Sequence, residues 1–262
     1  MESRNPAFRG NAFGGQGGGY GTPPPQGLQD TYGAPAYAPP ATTRPMTYDD
    51  VVIRSFLSLL ALCVTGALTW AFVPIQTALA IAVVAFLLQL GVGLYISFSG
   101  KANAPLVLTF SAVYGVGVGA ISHYYENLYN GIVLQAVIGT ALAFAGVLAV
   151  HSLKIIRVTP KFARYVCAAG FALLGLMLVN FIAAFFVDGG IGIRDGGPIA
   201  IVFSVIAILV GCFFLLLDFD SIEQGVRAGA PEKFAWYCAF GLTLSLVWIY
   251  LEILRLLSYF RD

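Results

Sequence analysis

The sequence predicts an all-α integral membrane protein, a seven-transmembrane-helix bundle with the last helix central, preceded by a disordered N-terminal tail. Hydrophobic residues form 58% of the 262-residue chain and charged residues only 10%, whereas a soluble domain carries about 25% charged residues. So much apolar surface requires lipid as its solvent. Seven apolar runs, each near the ~20 residues that cross the hydrocarbon core, follow the N-terminal segment.

The N-terminal segment, residues 1–45, is rich in Gly, Pro, Ala, Gln and Tyr. It lacks the branched apolar side chains whose burial offsets the entropy cost of ordering. We therefore predict a disordered cytoplasmic tail over residues 1–45 and a seven-helix transmembrane domain over residues 46–262. Tyr20, Tyr32 and Tyr37 suit partner binding or weak self-association, and a plain solubilising tail explains the composition at least as well.

Seven apolar runs mark the predicted transmembrane helices. They cover about residues 53–73, 77–98, 104–124, 131–153, 165–187, 199–217 and 234–260. Short connections predict one compact bundle without an inserted domain. Thr47 and Asp50 form a capping-box pattern ahead of the first run. Gly115 and Gly119 in the third run are four residues apart, a spacing that favours close helix packing.

Basic residues in the connections predict the topology. The connections after runs two, four and six are the basic ones, and they contain Lys101, Lys154, Arg157, Lys161, Arg164, Arg227 and Lys233. The positive-inside rule puts these connections in the cytoplasm. The N-terminus is then cytoplasmic and the C-terminus lies outside, provided that the seventh helix spans.

The sequence contains no pattern of a known catalytic or cofactor site. GxSxG, HExxH and P-loop motifs are absent, and the four cysteines and two histidines lack metal-ligand spacing. We therefore predict no enzyme, no cofactor and no bound metal. A net charge of +1 gives no basis for nucleic-acid binding, and membrane lipid is the partner that the composition itself requires.

Two aspartates near the end of the sixth run are ionisable groups at membrane depth, where such groups are costly and are functional or paired. Asp218 and Asp220 are two residues apart, so they lie on nearly opposite helix faces and only one can point into the bundle. Asp220 shares its face with Glu223 and Gln224. The alternative is that these acids mark only the cytoplasmic interface.

The seventh run carries a second set of polar groups. Glu252 and Arg255 are three residues apart and can pair on one helix face, and Ser245 lies on the same stripe seven residues before Glu252. A helix this polar is better surrounded by protein than by lipid. This is the reason for placing the last helix in the centre.

Three segments resemble the Bax inhibitor-1 (transmembrane Bax-inhibitor-motif) family, in a form typical of bacteria. The run LLLDFDSI resembles the end of its sixth helix, where an aspartate recurs, and Asp220 takes the matching position. The run VWIYLEILRLL resembles its last helix, and PLVLTFSAVYGVGVGAIS resembles its glycine-containing third helix. The resemblance covers about residues 46–262 and implies a bacterial plasma membrane.

The resemblance implies a central last helix wrapped by the other six, and a pH-sensitive calcium leak gated by two aspartates on helices six and seven. Here Ser245 stands at the helix-seven position, so Asp218 or Glu252 would have to supply the second acid. Asp220 is expected to carry the functional charge on helix six, and Arg255 to partner Glu252. The alternative function is a non-transporting regulator that binds other membrane proteins, such as a membrane AAA protease, which some bacterial relatives are thought to modulate.

Overall fold

Seven helices make up the fold of the part of the chain that the computed structural model describes, residues 44–187 and 189–261. They are α1 (Tyr48–Phe72), α2 (Ile75–Ser99), α3 (Ala104–Leu128), α4 (Ile132–Ser152), α5 (Pro160–Ala183), α6 (Pro198–Arg227) and α7 (Phe234–Ser258). All seven are long and apolar enough to cross a membrane, which confirms the predicted fold class. Residues 1–43 of the predicted tail lie outside the described residues.

Local sequence signals explain several helix ends. The predicted capping box begins α1, because Thr47 accepts from the Asp50 amide at 3.3 Å and Asp50 accepts from the Thr47 amide at 2.9 Å. Gly100 ends α2 in the left-handed conformation, with φ of 63°. The helix α6 continues past its apolar run, which ends at residue 217, to Arg227, so both aspartates are helical, as predicted.

The last helix lies in the centre, as predicted. It packs against α1, α3, α4 and α6, while α2 packs on α3 and α5 packs on α6. Direct contact with α7 therefore involves four helices rather than the six that the family resemblance implies. The outer helices α2 and α5 expose long apolar faces, which lipid solvates in a membrane.

Glycines allow α1 and α3 to touch. A Cβ at Gly119 would lie 2.7 Å from the Gly66 Cα, and a Cβ at Gly115 would overlap the backbone of Leu62. Only hydrogen at these positions permits such an approach. The predicted packing role of Gly115 and Gly119 is confirmed.

Hydroxyl groups tie the central helix to its neighbours. The Ser58 hydroxyl lies 2.6 Å from that of Ser111 and 2.8 Å from that of Thr243, which connects α1, α3 and α7 in the fully buried core. Ser122 and Tyr250 join α3 to α7 at 2.7 Å. These bonds satisfy polar groups that lipid cannot solvate.

The helix ends form two sides of the bundle. We call one side the basic end, defined by the connections over residues 100–103, 153–159 and 228–233. The opposite end carries the connections over residues 73–74, 129–131 and 184–197.

Candidate functional site

Asp218 reaches from α6 to the central helix. The Ser245 hydroxyl donates to Asp218 Oδ2 at 2.5 Å, and Gly241, one turn earlier on α7, leaves room for the other carboxyl oxygen. A Cβ at Gly241 would lie 2.7 Å from Asp218 Oδ1. Asp218 is partly buried and Ser245 is buried. We call Asp218, Ser245 and Gly241 the aspartate junction.

The apolar face of α6 positions this carboxyl. Leu215 and Ile222 are both buried and lie three residues before and four residues after Asp218, so the three share one helix face. Leu215 and Ile222 pack in the same core cluster as Leu242 and Ile249 of α7. The packing of that face therefore turns Asp218 toward α7.

Asp220 bonds to a residue of its own helix, near the basic end of the bundle. The Gln224 amide donates to Asp220 Oδ2 at 2.5 Å, one turn along the same helix. Asp220 lines a cavity of about 200 Å³ at the basic end, together with His151 and Arg157. Asp218, and not Asp220, meets the helix-seven position occupied by Ser245. The functional importance of either aspartate stays a prediction.

Glu252 pairs with an arginine that the sequence analysis did not select. Arg194 Nη2 lies 2.7 Å from Glu252 Oε1, and the Arg194 guanidinium also lies over the Phe203 ring, 5.6 Å from its centre. Among the described residues, Glu252 and Arg255 form no ion pair, so that predicted pair is wrong. The physical reason is that the connection between α5 and α6 folds over the end of α7 and presents Arg194 to the carboxylate.

Asn180 holds this connection in place. It is buried near the end of α5, and its side-chain oxygen accepts from the Ile191 amide at 3.0 Å. Gly190 lies against Asn180 with φ of 68°, where a side chain would be strained and crowded. Burial lowers the pKa of Arg194, and nearby Arg255 lowers it further, while Glu252 opposes both effects.

A cavity of about 580 Å³ lies beside the Arg194–Glu252 pair at the opposite end. We call it the arginine cavity. It is lined by Phe86, Tyr114, Ile121, Tyr125, Met177, Asn180, Phe181, Ala184, Gly189, Arg194, Trp248, Leu251, Glu252 and Arg255. Two buried atoms here, Glu252 Oε2 and Arg194 Nε, have no hydrogen-bond partner within the described ranges.

Trp248 separates the two polar regions along α7. Its indole Nε1 donates to the Ala207 carbonyl of α6 at 3.0 Å. It lies between Ser245 and Glu252 in sequence and lines the arginine cavity. Residues 44–187 and 189–261 contain no group of three or more His, Cys, Asp or Glu side chains arranged to hold a metal ion.

The geometry unites some predicted residues and separates others. Asp218 and Ser245 meet in the aspartate junction, Glu252 and Arg255 both line the arginine cavity, and Asp220 lies apart. Sequence reasoning missed Arg194, Asn180 and Gly241. Of these three, only Arg194 could have been identified from the sequence, because it is a lone basic residue in a glycine-rich connection.

A protein-family model described as "Bax inhibitor 1 like" matches residues 5–262. The match covers all seven helices, both polar regions and most of the tail, and so begins earlier than the resemblance found over residues 46–262. A search of curated proteins gives no match to the chain.

Proposed function

Because the chain belongs to the Bax inhibitor 1-like family of membrane proteins, we propose that it is a pH-sensitive cation leak, with calcium as the main ion. The aspartate junction closes the path. The observation that carries this proposal is the contact between Asp218 on α6 and Ser245 on the central helix. At ~1.5 Å per residue, Asp218 lies about 14 Å along the helix axis from Arg227, the last residue of α6. Asp218 is therefore inside the membrane-spanning helix.

The pH dependence of the leak follows from the neutral hydrogen-bond partner of Asp218. Within residues 44–187 and 189–261, Asp218 takes part in no ion pair, and its hydrogen-bond partner is a neutral hydroxyl. An unpaired carboxylate inside a bundle is costly because it has lost its hydration. The closed junction therefore tolerates the neutral acid better than the charged form. Loss of the proton favours separation of α6 and α7, which admits water, so the leak increases as the pH rises.

Carboxylate chemistry supports calcium as the conducted ion. Calcium prefers hard oxygen ligands, and a deprotonated Asp218 provides them at the level of the junction. Glu252, on α7, is the second carboxylate. It lies about 10 Å from Ser245 along the helix axis and pairs with Arg194. We infer that an ion moving along α7 meets these two carboxylates in turn, with Trp248 between them.

Calcium flux tests this function. The full chain is reconstituted into liposomes loaded with a calcium indicator, and the initial flux is measured from pH 5.5 to 8.5 against protein-free liposomes. We expect a leak above the protein-free rate that increases with pH. Equal fluxes with and without protein at every pH would refute the conduit, and the regulator that binds membrane proteins such as a membrane AAA protease would replace it.

A further inference from the structure

The arginine cavity has the features of a lipid-headgroup site. We propose that it binds one anionic glycerophospholipid, with the phosphodiester between Arg194 and Arg255 and a headgroup hydroxyl at Glu252. Phosphatidylglycerol is the simplest lipid with this chemistry. The proposal goes beyond the leak and does not rest on it, because its test measures lipid binding rather than flux.

The charges of the cavity favour an anion. Two guanidinium groups and one carboxylate line it, and the Arg194–Glu252 pair neutralises one of the two positive charges. Arg255 forms no ion pair among the described residues, so the described lining carries one more positive than negative charge. A monoanionic phosphodiester balances that charge, and guanidinium groups bind phosphate oxygens with well-matched geometry.

Two buried polar atoms indicate which chemical groups the lipid headgroup must carry. Arg194 Nε is a donor and Glu252 Oε2 is an acceptor, and within the described ranges neither has a partner. A buried polar atom without a partner costs free energy. A phosphate oxygen satisfies the donor, and a hydroxyl on the same headgroup satisfies the acceptor. A choline headgroup has no such hydroxyl, so it leaves Glu252 Oε2 unsatisfied.

The depth and walls of the cavity suit a lipid rather than a free ion. Glu252 and Arg255 lie in the last two turns of α7, and the end of a membrane-spanning helix comes to the level where headgroups meet acyl chains. Phe86, Met177 and Phe181 form an apolar wall. The wall belongs to α2 and α5, whose backbones do not approach each other closely. An acyl chain can therefore enter from the membrane between them.

Native mass spectrometry of the full chain in detergent provides the test. The protein is titrated separately with phosphatidylglycerol, phosphatidylcholine of the same chain length, and inorganic phosphate, and the fraction with one bound ligand is measured. We expect one phosphatidylglycerol to bind at least about tenfold tighter than phosphatidylcholine, because only its headgroup hydroxyl can donate to Glu252. Inorganic phosphate should not be retained, because it has no acyl chain to pack on the apolar wall.

Three variants locate the bound lipid. Arg255→Gln should weaken phosphatidylglycerol binding about tenfold, whereas Arg164→Gln, the same charge change at the basic end of α5, should not. Met177→Trp fills the apolar wall without removing a charge and should also lower binding, which keeps the test decisive if Arg255→Gln fails to fold. Equal binding of both lipids, unchanged binding in Arg255→Gln or Met177→Trp, or retention of inorganic phosphate alone would overturn the proposal.

Discussion

The ion pair between Arg194 and Glu252 joins the connection after α5 to the central helix. Replacing Glu252 by Gln leaves Arg194 buried without its carboxylate, and the Arg194 side chain is only 16% exposed. Removing one partner of a buried ion pair costs about 3–5 kcal/mol, because the other charge stays uncompensated. The free energy of unfolding should fall by about that amount in Glu252→Gln and by a similar amount in Arg194→Gln.

A double-mutant cycle isolates the pair. In Arg194→Gln/Glu252→Gln neither charge remains, so the loss should be much smaller than the sum of the two single losses, with a coupling of about 2 kcal/mol or more. A second cycle with Arg255→Gln and Glu252→Gln is the matched control, and its coupling should be smaller. Unfolding is followed in mixed micelles as the denaturing detergent is increased. Strong coupling of Glu252 to Arg255 and none to Arg194 would refute the structural pair.

Two further predictions concern packing and orientation. Gly119→Leu should lower the free energy of unfolding by more than 2 kcal/mol in the same assay, because the new leucine side chain meets the α1 backbone at Gly66. Gly146 faces open space, so the control Gly146→Leu should leave the free energy of unfolding unchanged within about 0.5 kcal/mol. Reporter fusions at residue 156 and at the C-terminus should fall on opposite sides of the membrane, since the basic connection is predicted to be cytoplasmic and α7 to span; two cytoplasmic signals would contradict that topology.

Composition and local sequence patterns together were sufficient to predict the fold class. The number of helices, the capping box at Thr47 and the glycine contact of α3 all follow from local patterns. The central position of α7 followed from its polar residues, which lipid would not tolerate. The apolar run of α6 ends before the helix does, because hydropathy measures preference for lipid rather than helicity. The run becomes polar at Asp218, but the helix continues to Arg227.

The inward-facing aspartate could not be chosen from the sequence alone. Residues 213–217 are apolar on every helix face, so periodicity gives no inner side, and only the packing of Leu215 and Ile222 against α7 selects Asp218. The partner of Glu252 could not be predicted from the sequence for another reason. Arg194 is 58 residues away along the chain, in a glycine-rich connection whose path depends on the tertiary contact with Asn180.

The pH response of the calcium leak in two aspartate variants tests the central claim most directly. Asp218→Asn keeps the shape of the neutral acid and cannot ionise, so its leak should stay low and nearly constant from pH 5.5 to 8.5. Asp220→Asn makes the same chemical change two residues away and should keep the wild-type increase with pH. Protein yield and melting temperature are checked first in both. A flat response in Asp220→Asn with a wild-type response in Asp218→Asn would contradict the account.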